Sequence, residues 1–304
     1  MSASEPSLRQ IDLTASIKRI AADLDTLFDA MLSVPDDPRS RLFNAMRHAA
    51  IGGGKRIRPL LVCASAELFD VSRARALRAG LAVECIHVQS LIHDDLPCMD
   101  DDDMRRGKAT VHVAFDEATA VLAGDSLLAL AFEILTDDLT HPSAQVRSEL
   151  ACELARAAGA EGMAGGQMLD LLPSEAGMDV EAVARLQRLK TGTLIGWSVE
   201  AGAILGSASP EHRTSLRGYA QNLGLAFQIA DDLLDVEGDA AVVGKRVGKD
   251  EEQGKATLVT LLGPDRARQQ AAYLAQQAID HLHCFEGRAG LLVELAEFAV
   301  RRNL

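Results

Sequence analysis

Aromatic residues are scarce in this chain, and so are the sequence patterns typical of β-strands. Only 4% of its 304 residues are aromatic, whereas alanine and leucine dominate the 48% that are hydrophobic. Alanine, leucine, glutamate, glutamine and arginine are the residues that form helices most readily. Regular alternation of apolar and polar residues, which would indicate strands, is rare. The composition therefore favours an all-α protein.

Basic residues are outnumbered by acidic ones, 31 against 44, and the formal net charge is −13. A protein that binds nucleic acid needs a basic face for the phosphates, so no nucleic-acid partner is expected. Much of the acidity is concentrated in residues 94–103 and 231–239. Such local acidity suggests that cations are bound at one place.

Paired cysteines, an apolar leader and long uncharged apolar runs are all missing. The five cysteines are odd in number, and no two have C-x-x-C spacing. The first ten residues are polar, and no apolar run reaches membrane-spanning length without a charge. These absences predict a reduced, cytoplasmic protein without a stable membrane anchor.

Proline and glycine divide the chain into helical segments. The predicted helices cover residues 7–33, 37–50, 57–69, 72–95, 111–136, 143–158, 160–171, 179–206, 210–237, 255–262, 264–284 and 287–301. No linker of domain size interrupts them, so a single domain over 1–304 is expected. The central helices are apolar nearly all round, which predicts that they are buried.

One predicted helix carries aspartates in an apolar setting. In "QIADDLLDVEGD", Asp231 and Asp235 are four residues apart and share one helical face, with Asp232 beside the first. Carboxylates one turn apart repel each other and destabilise a helix that lacks counter-charge. This helix is therefore predicted to face bound cations.

A second acidic cluster lies in "LIHDDLPCMDDDDMRRGK", Leu91–Lys108. An apolar helix runs to Asp94 and Asp95, and Pro97 then disrupts it. The next carboxylate is Asp100, and a bulged turn in the insert would bring these three aspartates together. The two acidic helix ends are expected to face each other across a cavity.

These clusters predict a magnesium site rather than a solvated loop. A lone run of aspartates is most often a solvated loop, but two clusters on apolar helices rarely arise by chance. An EF-hand does not fit, because twelve residues counted from Asp100 or Asp101 end on Val111 or His112 instead of Glu. Since Mg²⁺ binds through one or two carboxylates plus waters and substrate phosphates, a phosphorylated ligand is also predicted.

Basic residues near glycine supply candidate phosphate contacts. "IGGGKRIRP", Ile51–Pro59, is not a Walker A loop, because neither Ser nor Thr follows Lys55. Its free backbone N–H groups and cations still suit an anion, although the signal alone is weak. Arg105 and Arg106 either neutralise the acidic loop or hold diphosphates. Gly192, two residues after Lys190, predicts a bend in that helix.

In their order along the chain, several motifs together resemble the trans-isoprenyl diphosphate synthases, the class that elongates prenyl chains head to tail. The motifs are "GGGKRIRP", "ECIHVQSLIHDDLPCMDDDDMRRGK", "VLAGDSLL", "GMAGGQMLDL", "KTGTLI", "GLAFQIADDLLDVEGD" and "GKRVGKD…GKAT". The resemblance covers nearly the whole chain. The two-residue insert Pro97–Cys98 is similar to that of the bacterial farnesyl diphosphate synthases (geranyltranstransferases).

The resemblance implies an isoprenoid synthase fold, with roughly ten to twelve helices around a deep central cavity, usually in a homodimer. It also implies Mg²⁺, about three ions per active site when substrate is bound. The expected Mg²⁺ ligands are Asp94, Asp95, Asp100, Asp231 and Asp235, with Asp232 in support. The expected contacts of the allylic diphosphate are Arg105, Lys190, Thr191, Gln228, Lys245 and Lys255. Those of isopentenyl diphosphate are Gly54, Lys55, Arg58, His87 and Arg106.

The implied reaction is ionisation of an allylic diphosphate followed by capture of the cation by isopentenyl diphosphate. Metal ions and basic side chains stabilise the leaving diphosphate, which then removes the final proton. The loop 238–254 and the C-terminal "RRNL" are candidate lids that exclude water.

Product length is less well determined by the motifs. In the bacterial farnesyl type the fifth residue before the first aspartate is usually aromatic, but here it is Gln89, with Ser90 next. Farnesyl diphosphate is the expected product, and geranylgeranyl diphosphate is the alternative. Remoter alternatives are a class I terpene cyclase and an inactive synthase subunit; the paired motifs and the intact aspartates disfavour both.

Overall fold

The structure, a computed structural model, describes residues 12–171, 179–237 and 257–301. Its first helices are α1 (Leu13–Met31), α2 (Ser40–Ala50), α3 (Ile57–Glu67), α4 (Arg73–Asp94), α5 (Val111–Ala114), α6 (Glu117–Thr136), α7 (Ala144–Ala158) and α8 (Met163–Leu171). The others are α9 (Val180–Gln187), α10 (Thr193–Leu205), α11 (Pro210–Glu237), α12 (Leu258–Leu262), α13 (Pro264–Asp280) and α14 (Gly290–Arg301). The all-α prediction is confirmed.

Two predicted helices are interrupted, for visible local reasons. The segment 111–136 divides because Asp116 is extended, with φ −175°, and its side chain accepts a hydrogen bond from the N–H of Thr119 at 2.6 Å. That contact caps a new helix, α6. The segment 179–206 contains a π-helical turn, Arg188–Gly192, between α9 and α10. The predicted bend at Gly192 is therefore a π-helical turn.

A short hairpin follows the first acidic cluster. Strand β1 (Met104–Arg105) pairs antiparallel with β2 (Lys108–Ala109). The two residues between them, Arg106 and Gly107, have φ values of 53° and 75°. Positive φ at both positions is the geometry of a tight two-residue hairpin turn. Such a short hairpin has too little sequence for an alternating pattern to reveal.

The core is built around α4 and α10. Helix α4 packs against α3 and α6, and α10 packs against α3, α7 and α11. Both helices are buried on nearly all faces, as their composition predicted. The polar groups of buried aromatic side chains find backbone partners: Trp197 donates to the carbonyl of Leu150 at 3.2 Å, and Tyr219 to that of Leu292 at 2.7 Å. This packing fixes the end of α4, where the first acidic cluster begins.

Helix α6 is the one helix of the described residues that is long and apolar enough to cross a membrane. Its most apolar 18-residue window has a mean hydropathy of 1.7, and 44% of that window is buried. Core helices pass the same test of length and composition. The buried side of α6 packs against α4, and its other side carries exposed Val121, Leu122 and Leu128.

Candidate active site

The Pro97–Cys98 insert folds the first acidic cluster back on itself. The N–H of Asp100 donates to the carbonyl of Asp94 at 2.8 Å, and that of Asp102 donates to Asp95 at 3.2 Å. The bulged turn expected from the sequence is thus present, and it returns the acidic run to the end of α4. Asp94, Asp95 and Asp100 lie together as the spacing predicted.

Asp94 lies in a partly buried position among several charged side chains. Burial raises the pKa of its carboxyl to about 6; Lys190 acts in the opposite direction, and the charge of Asp100 raises it further. Because the charge of Lys190 acts on this carboxyl, the π-helical turn that carries Lys190 lies beside the first acidic cluster. A bound cation would favour the ionised form of this carboxylate.

Asp95 is held by a cation of the hairpin. Its side chain is nearly inaccessible, and its Oδ1 accepts a hydrogen bond from Nε of Arg105 at 2.6 Å and forms an ion pair with Nη2 at the same distance. Nη2 of Arg105 also lies 3.6 Å from Asp102. Arg105 thus neutralises part of the acidic loop, and its second role, holding a diphosphate, stays a prediction.

The glycine loop before α3 lies against the same hairpin. Gly54 has φ 86°, and a Cβ there would stand 2.8 Å from the guanidinium of Arg106. Lys108 donates to the carbonyl of Ile51 at 3.3 Å. A cavity of about 50 Å³ separates this loop from Asp95. The loop thus meets the hairpin cations close to the first acidic cluster.

A buried ion network under this loop was not predicted from the sequence. Arg56 is in the left-handed region, with φ 51°, and its guanidinium is fully buried. It donates to Glu84 at 2.7 Å and to Asp25 at 3.0 Å, and a further hydrogen bond goes to the carbonyl of Ala50. Asp25 also accepts from the N–H of Gly52. The network ties the glycine loop to α1 through Asp25 and to α4 through Glu84.

Arg58 and His87 lie on the inner side of the loop. Burial lowers the pKa of Arg58, and the charges of Glu84 and Asp231 partly offset this. The pKa of His87 is held well below its usual range by burial and then by Arg58 and Arg106. His87 is therefore a neutral hydrogen-bonding group at neutral pH. Because the charge of Asp231 acts on Arg58 and that of Arg106 acts on His87, the inner side of the glycine loop lies near the second acidic cluster and near the hairpin that follows the first.

In the second cluster, Asp232 is anchored by two amides. Its Oδ1 accepts from Gln228 at 2.9 Å, and its Oδ2 accepts from Gln187 at 2.8 Å. Asp232 and Asp235 are both buried, whereas Asp231 is partly exposed. The supporting role of Asp232 in metal binding stays a prediction. Gln187 was not predicted, because a glutamine at the end of a helix carries no distinctive spacing.

The π-helical turn connects the two clusters. Nζ of Lys190 donates to Asp170 at 2.7 Å, and the hydroxyl of Thr191 donates to Gln228 at 3.1 Å. Helix α8 lies directly on this turn, because a Cβ on Gly166 would stand 2.3 Å from the backbone N of Lys190. Asp170 was missed, although its motif "GMAGGQMLDL" marks the position.

The remaining predicted residues lie as follows. Lys55 is exposed, with its Nζ 5.9 Å from the ring centre of Phe298. The amide of Gln89 donates to Nδ1 of His93 at 3.0 Å, and Nε2 of His93 lies 3.2 Å from the carbonyl of Val121. The hydroxyl of Ser90 donates to the carbonyl of His87. Predictions for Lys245, Lys255, the loop 238–254 and residues 302–304 lie outside the described residues.

The donor set suits a Mg²⁺–diphosphate complex better than a metal ion alone. Across the described ranges, no group of three or more His, Cys, Asp or Glu side chains is arranged to hold a metal ion by itself. The carboxylates are hard oxygen donors, and the pKa of Asp94 is raised chiefly by burial, a cost that a bound cation would offset. Nε of Arg58 and both amide atoms of Gln167 are buried without a hydrogen-bond partner. An anionic oxygen could accept from the donors, Nε of Arg58 and Nε2 of Gln167, whereas Oε1 of Gln167 needs a donor such as a water molecule.

The two acidic clusters thus lie beside one π-helical turn, and the glycine loop lies beside the hairpin that follows the first cluster. The sequence profile described as polyprenyl synthetase matches residues 39–284. The chain belongs to the polyprenyl synthetase family. The profile spans the loop, both clusters and the turn, so every predicted site residue lies within it.

Known proteins similar to this polyprenyl synthetase include two kinds of synthase. Farnesyl diphosphate synthase of Escherichia coli (strain K12) is 46% identical over 265 residues, 85% of this chain and 88% of the relative. Geranylgeranyl pyrophosphate synthase 11 of Arabidopsis thaliana is 43% identical over 279 residues, 90% of this chain and 78% of the relative. The solved apo structure of a FPP/GFPP synthase from Zymomonas mobilis is 52% identical, with a TM-score of 0.87 over 95% of this chain and 98% of that one.

Proposed function

We propose that this protein is a farnesyl diphosphate synthase, a prenyltransferase that joins isopentenyl diphosphate head to tail with dimethylallyl or geranyl diphosphate. The observation that carries the proposal is the pair of acidic clusters beside a separate basic loop. One diphosphate needs the acidic clusters, and a second needs the loop. Prenyl synthases of this family act on these two kinds of substrate. The similar farnesyl diphosphate synthases support the choice of activity.

Mg²⁺ is the proposed cofactor, as is general in this family. When bound, it neutralises the negative charge that develops on the departing diphosphate. We assign its binding to Asp94, Asp95, Asp100, Asp231 and Asp235, with about three ions per site when substrate is present. Asp95 is paired with Arg105 in this structure. If Arg105 bound an allylic phosphate oxygen instead of Asp95, the carboxylate of Asp95 would become available to Mg²⁺.

The allylic diphosphate is assigned to the cations and amides around the π-helical turn. Arg105, Lys190, Thr191 and Gln228 lie in or beside this region, and Lys245 and Lys255 complete the proposed set. Nζ of Lys190 donates to Asp170, and the charge of Lys190 also acts on Asp94. From this position Lys190 can stabilise the leaving diphosphate as negative charge develops on it. The released diphosphate is the proposed base for the final proton.

Isopentenyl diphosphate is assigned to the glycine loop, with Gly54, Lys55, Arg58, His87 and Arg106. Arg58 and Arg106 supply charge, whereas the depressed pKa of His87 makes it a neutral donor. The network under the loop holds these groups before substrate arrives. Positioning two reactants can lower a barrier by several kcal/mol.

The proposed main product has fifteen carbons. The main alternative, a longer product, gains support from the absence of an aromatic residue at Gln89. The Arabidopsis thaliana relative is named as a geranylgeranyl synthase, and the Zymomonas mobilis structure as a FPP/GFPP synthase. The farnesyl name recurs among the bacterial relatives, which favours the shorter product.

We also propose one polyprenyl synthase domain over 1–304, acting as a cytoplasmic homodimer. The support for a dimer is the exposed apolar side of α6. Leu122 is 55% exposed, and Val121 and Leu128 are exposed on the same helix. Exposed apolar stripes of this kind are typical of protein interfaces.

The test is to incubate the protein with labelled isopentenyl diphosphate, Mg²⁺ and either dimethylallyl or geranyl diphosphate, and to separate the products by chromatography. A fifteen-carbon diphosphate is expected. A twenty-carbon main product would keep the reaction and overturn the chain length. A hydrocarbon or alcohol would indicate a cyclase, and no product with either allylic substrate would indicate an inactive subunit.

A further inference from the structure

The side chain of His93 lies between Gln89, the residue expected to set product length, and helix α6. His93 directly precedes Asp94 on α4, and Gln89 stands one turn earlier on the same face of that helix. None of the proposed metal or substrate contacts uses His93. Its imidazole ring nevertheless makes three specific contacts, two by hydrogen bonding and one by packing.

The imidazole of His93 is hydrogen-bonded at both of its nitrogens. Nε2 of Gln89 lies 3.0 Å from Nδ1 of His93, and Nε2 of His93 lies 3.2 Å from the carbonyl oxygen of Val121. An amide nitrogen can only donate a hydrogen bond, and a carbonyl oxygen can only accept one. One tautomer therefore satisfies both contacts, with Nδ1 as the acceptor and the ring hydrogen on Nε2.

Packing against α6 also holds the ring in place. Gly124 is buried on α6, and a Cβ added to it would stand 2.1 Å from Nε2 of His93. The imidazole thus lies directly on the backbone of α6, an approach that only a residue without a side chain permits. Since α4 and α6 pack against each other, His93 has little freedom to turn away from Gln89.

The hydrogen bond to His93 changes what a growing prenyl tail meets at Gln89. The side chain of Gln89 is partly exposed, so water can reach its amide until a tail covers it. A tail that passes Gln89 removes this water, and a polar group buried without a partner is unfavourable. Because one amide N–H already donates to His93, part of that penalty is absent.

We propose that His93 is a positioning residue for product length. By accepting a hydrogen bond from Gln89, it lets a fifteen-carbon chain be extended past this position. The inference rests on the proposed prenyl transfer and on the proposed place of Gln89 at the end of the product cavity. It concerns the choice between allylic substrates and not the ionisation step at the metal site. Loss of the acceptor on His93 therefore disfavours the longer substrate alone.

The test compares two substitutions, each of which keeps one of the two hydrogen bonds of the ring. In His93→Gln the amide nitrogen stands near the place of Nε2 and can still donate to Val121, but the acceptor for Gln89 is lost. In His93→Asn, the matched control, the amide oxygen stands near the place of Nδ1 and keeps that acceptor.

The measured quantity is kcat/KM for farnesyl diphosphate divided by kcat/KM for geranyl diphosphate, each with isopentenyl diphosphate and Mg²⁺. A disturbance of the neighbouring Asp94 acts on both substrates and cancels in this ratio. His93→Gln is expected to lower the ratio by at least about fivefold, since a buried donor is left unpaired only under the longer tail. His93→Asn should stay within about twofold of the wild-type ratio.

A second background separates this role from a merely structural one. Gln89→Leu has no amide that needs a partner, so adding His93→Gln to it should change the ratio by less than about twofold. A structural role of His93 would give the same fall in both backgrounds. If circular dichroism shows that His93→Gln is unfolded, His93→Leu, which also lacks the acceptor, replaces it.

Several results would overturn the role of His93. They are an unchanged ratio in the folded His93→Gln variant, an equal fall in His93→Asn, and an undiminished fall in the Gln89→Leu background. A wild type that elongates geranyl but not farnesyl diphosphate would overturn it too, because no tail then passes Gln89. A wild type that elongates neither substrate would contradict the proposed function, and the role of His93 with it.

Discussion

At the scale of single residues, Asp94 and Asp231 are expected to serve chemistry rather than folding. We predict that Asp94→Ala or Asp231→Ala lowers kcat by at least about a hundredfold, because each removes stabilisation of the leaving diphosphate. The far-ultraviolet circular dichroism should change little. Asp103→Ala is the matched control, since Asp103 belongs to the same acidic run but is exposed and outside the assigned set. Near-normal turnover with Mg²⁺ in either variant would rule out the metal assignment.

Gln89 is the residue expected to set product length. Burying an unpaired amide against an apolar tail costs roughly 1–3 kcal/mol, but here the amide already donates to His93. The other contribution to product length is the favourable free energy of burying a longer prenyl tail, about 0.8 kcal/mol per methylene. We predict that the wild type makes more twenty-carbon by-product than an enzyme with an aromatic residue at this position. Gln89→Phe should restrict the product to fifteen carbons or fewer, and Gln89→Ala should lengthen it.

Product analysis by chromatography, with the wild type in parallel, decides this prediction. The same distribution from the wild type and both variants would show that Gln89 does not form the floor. The side chains of α6 beside His93 would then be the next candidates, because His93 already contacts the backbone of Val121.

Charged site residues that stand at a characteristic spacing could be predicted from the sequence, and the other site residues could not. The aspartates of both clusters could be recognised because like charges one turn apart destabilise an apolar helix unless cations bind there. Glu84, Asp170 and Gln187 were missed, because each acts through a partner distant in sequence. Arg56 was noticed as a cation beside glycine, but its buried pairing depends on α1 and α4.

At the scale of elements, the π-helical turn is where helix prediction was incomplete. Periodicity predicts one helix over 179–206, and the structure shows α9, a π-helical turn and α10. The π-helical turn carries Lys190 and Thr191, which donate hydrogen bonds to Asp170 and Gln228. Such turns often mark functional sites, but their cause is tertiary packing and cannot be read from propensity.

We predict that Gly166→Ala damages this element. A Cβ at Gly166 would stand 2.3 Å from the backbone N of Lys190 and 2.6 Å from its Cα, so α8 or the turn must shift. Overpacking of this kind costs about 1–3 kcal/mol. Thermal melting should show the lost stability, and kcat should fall by about tenfold or more because a small displacement of a catalytic cation weakens its action.

The matched control for Gly166→Ala is Ala164→Ser, which adds one heavy atom on the exposed side of the same helix. It should leave both the melting temperature and kcat close to the wild-type values. If Gly166→Ala behaved like this control, the close approach of α8 to the turn would be irrelevant to function.

At the scale of the whole molecule, α6 is expected to join two copies of the chain. We predict that Leu122→Asp converts a dimer into a monomer, because it removes the most exposed leucine of α6 and adds a second carboxylate one turn from Asp125. Sedimentation equilibrium should report the change in mass. Tyr273→Asp is the control, since Tyr273 is 59% exposed on α13, away from α6. A monomeric wild type, or a Leu122→Asp variant that stays dimeric, would contradict this interface.

Ligand and metal are expected to stabilise the whole fold only together, because neither the carboxylates nor the cations are complete without the other. Mg²⁺ needs phosphate oxygens to fill its coordination shell. A bisphosphonate brought near Asp94 and Asp231 without metal would meet uncompensated negative charge. We predict that bisphosphonate with Mg²⁺ raises the melting temperature by about 5 °C or more, since a ligand at a hundred times its Kd stabilises by about 2.7 kcal/mol. Either component alone, or both in EDTA, should give little change. Asp94→Ala should lose most of the combined effect, and equal stabilisation by bisphosphonate in EDTA would show that the acidic clusters do not bind metal with the ligand.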